Sequence, residues 1–283
     1  MLESKGSSEV AAIRDHYDRV SVFYRALWGD HIHHGYFEGR ESPKWAQLKL
    51  IERLAEMAAI PPGSSVLDVG CGVGGSARWL AKELDCTVLG ITLSPVQARM
   101  AAEAAAREGL GDRARFAIKD AHRLDFPAES FDAVWVIECS EHLLDKPGFI
   151  RACHRVLKPG GTMALCAWLS AERFESDAQE QLVAAVCEGM LCPSLGSMRD
   201  YVAWLREAGF DAIRAEDVTE RVKATWQLCG RIVERPEVQL LARMSDPAIR
   251  GFVQAFGAIR RAYDEGAMSY GMLTAKKASP RPI

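Results

Sequence analysis

At 283 residues and 48% hydrophobic composition the chain can bury a full core, which excludes disorder as the default. Its 35 basic and 38 acidic residues leave a formal net charge of -3, with no electrostatic footprint for nucleic acid or an anionic membrane, so a small-molecule substrate is the expected partner. Cys71, Cys86, Cys139, Cys153, Cys166, Cys187, Cys192 and Cys229 form no Cys-x-x-Cys pair and several fall in apolar runs, which predicts reduced core thiols.

In chain order, a polar tail without a signal-like apolar core comes first, and no run reaches the ~18 apolar residues of a membrane span, so the expected compartment is the cytoplasm. Residues 9–28 and 44–59 then carry helical spacing, the second through Trp45, Leu48, Leu50, Ile51, Leu54 and Met57. Between them, His31, His33 and His34 lack carboxylate or cysteine partners nearby in sequence, and no metal site is expected. Pro61-Pro-Gly63 punctuates the chain. Beyond it, strands at 65–69, 86–91, 114–118, 132–137 and 162–167 alternate with helices at 75–84, 95–109, 147–156 and 198–208. That alternation predicts an α/β fold, a doubly wound, mostly parallel sheet with helices on both faces. Weaker strands at 212–219 and 269–276 bring the sheet to seven.

Two connections, 169–197 and 221–266, exceed ordinary lengths and predict helical caps at the carboxyl ends of the strands. Their apolar residues Leu182, Val183, Val186, Met190, Leu191, Trp226, Leu228, Phe252 and Phe256 either line a substrate pocket or form the caps' own core. Cys187 and Cys192 have no matching Cys/His pair, so they too predict no metal. The division expected is a helical amino-terminal lid over 1–60, a cofactor-binding core over 61–168, and the remainder of the same sheet with its caps over 169–283.

The most informative stretch is Asp68-Val-Gly-Cys-Gly-Val-Gly-Gly75, a glycine turn closing the apolar run Ser65-Val-Leu-Asp-Val69. Gly70, Gly72 and Gly75 satisfy the dinucleotide spacing, but a pyrophosphate would sit badly beside the Asp68 charge, whereas a ligand with an amino acid ammonium would welcome it. A nicotinamide enzyme also needs an acidic residue at the end of the second strand, and here that strand ends in Thr92-Leu-Ser-Pro95. S-adenosylmethionine is therefore the expected cofactor. Gly70, Gly72 and Gly74 would give backbone access and Asp68 would orient the turn. Thr92, Leu93 and Gln97 follow the second strand, with Gln97 placed for ribose hydroxyls. Asp120 and Ala121 follow the third, with Asp120 placed to accept from an adenine amino group.

The series Val66-Leu-Asp-Val-Gly-Cys-Gly-Val-Gly-Gly75, Gly90-Ile-Thr-Leu-Ser-Pro-Val-Gln97, Lys119-Asp-Ala121 and Val156-Leu-Lys-Pro-Gly-Gly161 resembles class I S-adenosylmethionine-dependent methyltransferases over about residues 60 to 168. With Trp28-Gly-Asp-His-Ile-His-His-Gly-Tyr-Phe37 upstream, the chain is similar to the gamma-tocopherol methyltransferase branch. The resemblance implies a Rossmann-like fold and a lid in which Tyr17 and the stretch His34, Gly35 and Tyr36 close over the methionine end and exclude water.

Methyl transfer is an in-line displacement, so positioning supplies most of the rate, and a hydroxyl or carbon acceptor also needs a base. The segment Ile137-Glu-Cys-Ser-Glu-His142 follows the fourth strand. Glu138 is expected at the cofactor's methionine moiety or in the pocket wall. His142 and Glu141 are the candidate bases, with Glu141 alternatively orienting His142 or stabilising a cationic substrate; an acidic first helical turn is the competing explanation of both. Tyr17 is a further catalytic candidate, as a donor or as a cation–π face toward the sulfonium. The function expected is methylation of a small hydrophobic or aromatic acceptor such as a prenylated phenol or quinol. A natural-product sugar or amine methyltransferase is the alternative among enzymes, and a non-catalytic S-adenosylmethionine-binding protein the alternative of another class.

Overall fold

A computed structural model describes residues 10–19, 21, 29–238, 240 and 247–279. Residues 10–19 are helical (α1), while residues 9, 20 and 22–28 of the expected first helix, and with them Trp28, lie outside the described residues. Helix α2 (Pro43–Ala58) starts on a proline, whose fixed φ suits a first helical turn. Its inward face is Ala46, Leu50, Ile51 and Leu54, all wholly buried. Each large aliphatic there contributes on the order of 2 kcal/mol by leaving water. Trp45 lies off that stripe and is 66% exposed, so it is not part of the core face its spacing suggested.

The sheet has seven strands in the order β3-β2-β1-β4-β5-β7-β6. They are β1 (Ser65–Val69), β2 (Thr87–Thr92), β3 (Ala114–Ile118), β4 (Phe131–Ile137), β5 (Leu157–Ser170), β6 (Phe210–Asp217) and β7 (Met268–Lys277). Helices α3 (Gly75–Glu83), α4 (Pro95–Arg107) and α5 (Lys146–Val156) make the crossovers, and α7 (Met198–Glu207) precedes β6. The first five strands pair in parallel, and β7 inserts antiparallel between β5 and β6. Parallel strands buried on both faces read as continuous apolar runs, as Ala133–Ile137 does and as Val66–Val69 does apart from the buried Asp68. One core cluster lies on each face of the sheet.

Several boundaries differ from the sequence expectation, β5 starting at Leu157 rather than at 162 among them, and two differences bear on the cap and the sheet edge. Strand β5 continues to Ser170 because β7 pairs with it from Thr162↔Lys276 to Ser170↔Met268, so the first cap starts later than residue 169. Strand β6 begins at Phe210, two residues early, with Ala212 at φ 45 and a register irregularity between Asp211 and Arg214.

The first cap contains α6 (Asp177–Gly189), and the second contains α8 (Thr219–Val222), α9 (Ala224–Val233) and α10 (Pro247–Asp264). Val183, Val186, Met190, Trp226 and Phe256 are buried in the same cluster as the sheet, with Leu182 packed against it. Leu191 and Leu228 are half-buried. The Phe252 side chain lies outside the described residues. The winding direction reverses between β1 and β4, which opens a crevice beyond their carboxyl ends.

Candidate active site

At the end of β1, Asp68 is 2% exposed and its Oδ2 has no hydrogen-bond partner. Burial pushes its pKa up to about 7. The carboxyl belongs to a pocket of about 350 Å³ that also includes His31, His33, Gly72 and Ser76. Gly72 has φ +53, and a Cβ added there meets nothing within 4 Å, so this backbone faces open space. Gly74 differs. Its φ is +78, but a Cβ would lie 2.7 Å from the Phe116 ring, so it serves the packing of α3 on the sheet rather than backbone access.

A larger pocket of about 740 Å³ adjoins the turn and collects Gly70, Gly72, Thr92, Leu93, Gln97, Asp120, Ala121, Glu138, His142 and Tyr17. The Thr92 hydroxyl donates to Gln97 Oε1 at 2.7 Å, which leaves the Gln97 amide nitrogen as the end available to a ligand oxygen. Asp120 Oδ1 accepts from the backbone N–H and Nδ1 of His122, and its other oxygen is left for a ligand. These features fit S-adenosylmethionine: an orphaned carboxylate for the ammonium, open backbone at Gly72, and neutral hydrogen-bonding groups for the ribose.

Gly35 and Tyr36 are not brought to this pocket. Gly35 N–H donates to Thr225 Oγ1 and Tyr36 N–H to the Ala46 carbonyl, which docks the segment on α2 and α9. Ile32, His31 and His33 cover the turn instead. The close Gly35–Ala46 approach, where a Cβ would lie 2.6 Å from Ala46 Cβ, explains the glycine.

A second cavity of about 630 Å³ shares Tyr17, Ile32, Glu138 and His142 with the larger pocket. Its remaining wall includes His16, His33, Glu141, Trp168, Met190, Trp226 and Phe256, so cap residues that serve as core also face a cavity. At the junction the Tyr17 hydroxyl and His142 Nε2 are 2.9 Å apart. His142 Nδ1 lies 3.1 Å from the Leu191 carbonyl. A carbonyl only accepts, so Nδ1 carries the proton and Nε2 accepts from Tyr17. Burial lowers the His142 pKa, which keeps this ring neutral. Burial raises that of Tyr17.

Glu138 has φ +52, a strained position for a residue with a side chain. Its Oε1 accepts from the His34 backbone N–H (2.8 Å), His34 Nδ1 (3.0 Å) and Tyr270 hydroxyl (2.7 Å), and its Oε2 from Trp168 Nε1 (2.9 Å). Burial opposes its ionisation, but His34 and these donors hold its pKa down at about 2. His34 Nε2 accepts from Trp226 Nε1, joining the second cap to the same centre. The sequence singles out His34 only as a non-metal histidine and part of the lid, and Trp168 not at all; no local pattern marks their convergence on Glu138.

Glu141, three residues on, has one donor on Oε1, the Trp168 N–H at 2.6 Å. Burial and the Glu138 charge push its pKa up to about 8, so near neutrality it is an acid rather than a base. It does not orient His142; the Leu191 carbonyl does.

Residues 67–165 match the profile of a family described as a methyltransferase domain. The chain is 32% identical over 278 residues to a probable tocopherol O-methyltransferase of Oryza sativa subsp. japonica, covering 92% of this chain and 76% of that one. It is 34% identical over 265 residues to the 27-O-demethylrifamycin SV methyltransferase of Amycolatopsis mediterranei (strain S699), covering 92% and 95%. Among solved structures, the cyclase SpnF superposes with a TM-score of 0.81 at 29% identity, covering 95% of this chain and 96% of that chain.

Proposed function

The chain belongs to the class I S-adenosylmethionine-dependent methyltransferases, with tocopherol O-methyltransferases among its relatives, and from that premise we propose that it methylates a small hydrophobic or aromatic acceptor at oxygen or ring carbon. The observation that carries this reading is the junction: two cavities share Tyr17 and His142, so a donor in one and an acceptor in the other meet at those side chains.

S-adenosylmethionine supplies an electrophilic methyl group on a positively charged sulfur. Asp68 receives the ammonium, Gln97 and Asp120 the nucleoside, and Ile32 with α1 keeps water out. His142 Nε2 takes the acceptor's proton, directly or through the Tyr17 hydroxyl, because Leu191 holds its other nitrogen protonated. Glu138 keeps the lid, β5 and β7 in register around that pair.

The balanced charge of the chain supports a small molecule over nucleic acid as substrate. All eight cysteines are free, which supports a reducing, cytoplasmic setting. No helix among the described residues is long and apolar enough to cross a membrane.

The test is incubation with isotopically labelled donor and a panel of phenols, diols, sugars and amines, read by mass spectrometry. Label on a phenolic or ring-carbon product supports the reading. Transfer confined to amines or sugars, or to no acceptor while the donor binds, overturns it.

A further inference from the structure

Two buried polar atoms carried by residues of the acceptor cavity's wall have no part in the transfer step, and one of those residues, His33, also lines the pocket of Asp68. Glu141 Oε2 and His33 Nε2 belong to buried residues of its wall, and neither has a hydrogen-bond partner. His33 gives its Nδ1 proton to the His34 carbonyl at 2.7 Å, so Nε2 presents a lone pair. Glu141 accepts at Oε1 from Trp168 and lies beside the ionised Glu138, so it keeps its proton and presents Oε2–H. Buried polar groups left this way are destabilising unless a ligand completes them. A cationic ligand is disfavoured at this place, because the Lys146 amine already donates to the Glu141 and Leu143 carbonyls. Trp168, Trp226 and Phe256 give the rest of the wall flat aromatic faces.

We propose that Glu141 is a specificity-determining residue: its carboxyl donates to a second oxygen of the acceptor, remote from the atom that receives the methyl group. His33 Nε2 accepts in turn where that oxygen is a hydroxyl. The ligand class is a ring carrying two oxygens at separate positions. The inference rests on the second cavity being the acceptor site.

The experiment titrates the full chain, loaded with S-adenosylhomocysteine, with an alkyl-substituted benzenediol and the matching alkylphenol. Tryptophan fluorescence reports binding, since Trp168 and Trp226 wall the cavity. The diol is expected to bind about tenfold more tightly. Glu141→Gln, which keeps a donor, retains that ratio, while Glu141→Leu brings it to within about twofold with S-adenosylhomocysteine affinity unchanged. Equal binding of the two ligands by the wild-type chain overturns the proposal, whatever the variants do, as does a preference that survives in a folded Glu141→Leu chain. Should the preference hold while neither compound is methylated, the transfer reading fails and the anchor stands.

Discussion

The Tyr17 hydroxyl reaches His142 Nε2 across 2.9 Å, joining a residue of the first helix to the turn after β4, at the place where two cavities meet. His142→Ala is expected to lower kcat about 10² to 10⁴-fold for a hydroxyl acceptor, with cofactor affinity changed by less than about threefold. Tyr17→Phe should cost roughly tenfold. Steady-state kinetics with calorimetry of S-adenosylhomocysteine separate the two effects. A His142→Ala enzyme within about threefold of wild type would remove this residue from the chemistry.

Gly72 and Gly74 share a left-handed backbone but differ in what a side chain would meet. Gly72→Ala should weaken cofactor binding about tenfold or more, with a small change in melting temperature. Gly74→Ala should do the reverse, lowering stability by about 2 kcal/mol or more as the new Cβ meets Phe116. Calorimetric melting beside ligand titration decides the matter, and equal effects on both measurements would contradict it.

Asp68 keeps its proton to a higher pH when folded, its pKa moving from 3.8 to about 7. The folded state therefore binds more protons between those values, and its ligand-free stability falls as pH rises through that window. Asp68→Asn removes this slope, so the variant should gain on wild type from pH ~4 to ~7 and then level off. The same change should weaken cofactor binding roughly 10- to 100-fold. Chemical denaturation across pH measures the first effect, and a flat difference would refute it.

Glu138 has the opposite sign. Its pKa falls from 4.5 to about 2 on folding, so its contribution is present above about pH 4.5 and is lost as pH drops toward 2. Glu138→Gln places an amide donor among the His34, Trp168 and Tyr270 donors, and should cost about 2–4 kcal/mol at neutral pH. The expected sign in a thermal scan is a fall of roughly 5–10 °C that shrinks in acid. A loss that persists unchanged at pH 2 would exclude the charge as its source.

The donor side was legible because its cues are local. Asp68 lies within a few residues of its glycine turn, as Thr92 does of Gln97, and strand order brings the two cues together. Tyr17 and His142 are each candidates in the sequence, but their pairing spans 125 positions and no local pattern joins them. The opposite protonation of Glu138 and Glu141 could not be read from Ile137-Glu-Cys-Ser-Glu-His142. It depends on four donors reaching one carboxylate and one reaching the other. The absence of Gly35 and Tyr36 from the pocket of Gly72 and Gln97 has the same origin: their neighbours Thr225 and Ala46 are supplied by two separate helices.

The lid, β5 and β7 are fastened to Glu138 by few side chains, and His34 extends the fastening to α9. That joint gives the amino-terminal segment and the second cap one common mount after β4, beside the apolar packing of the caps on the sheet. A cap carrying a different apolar lining could replace the present one and change what is recognised, provided His34, Trp168 and Tyr270 are retained and an indole is kept at Trp226. The handful of residues that must stay fixed is thus smaller than the set that lines the second cavity, which gives redesign of that cavity a defined place to begin.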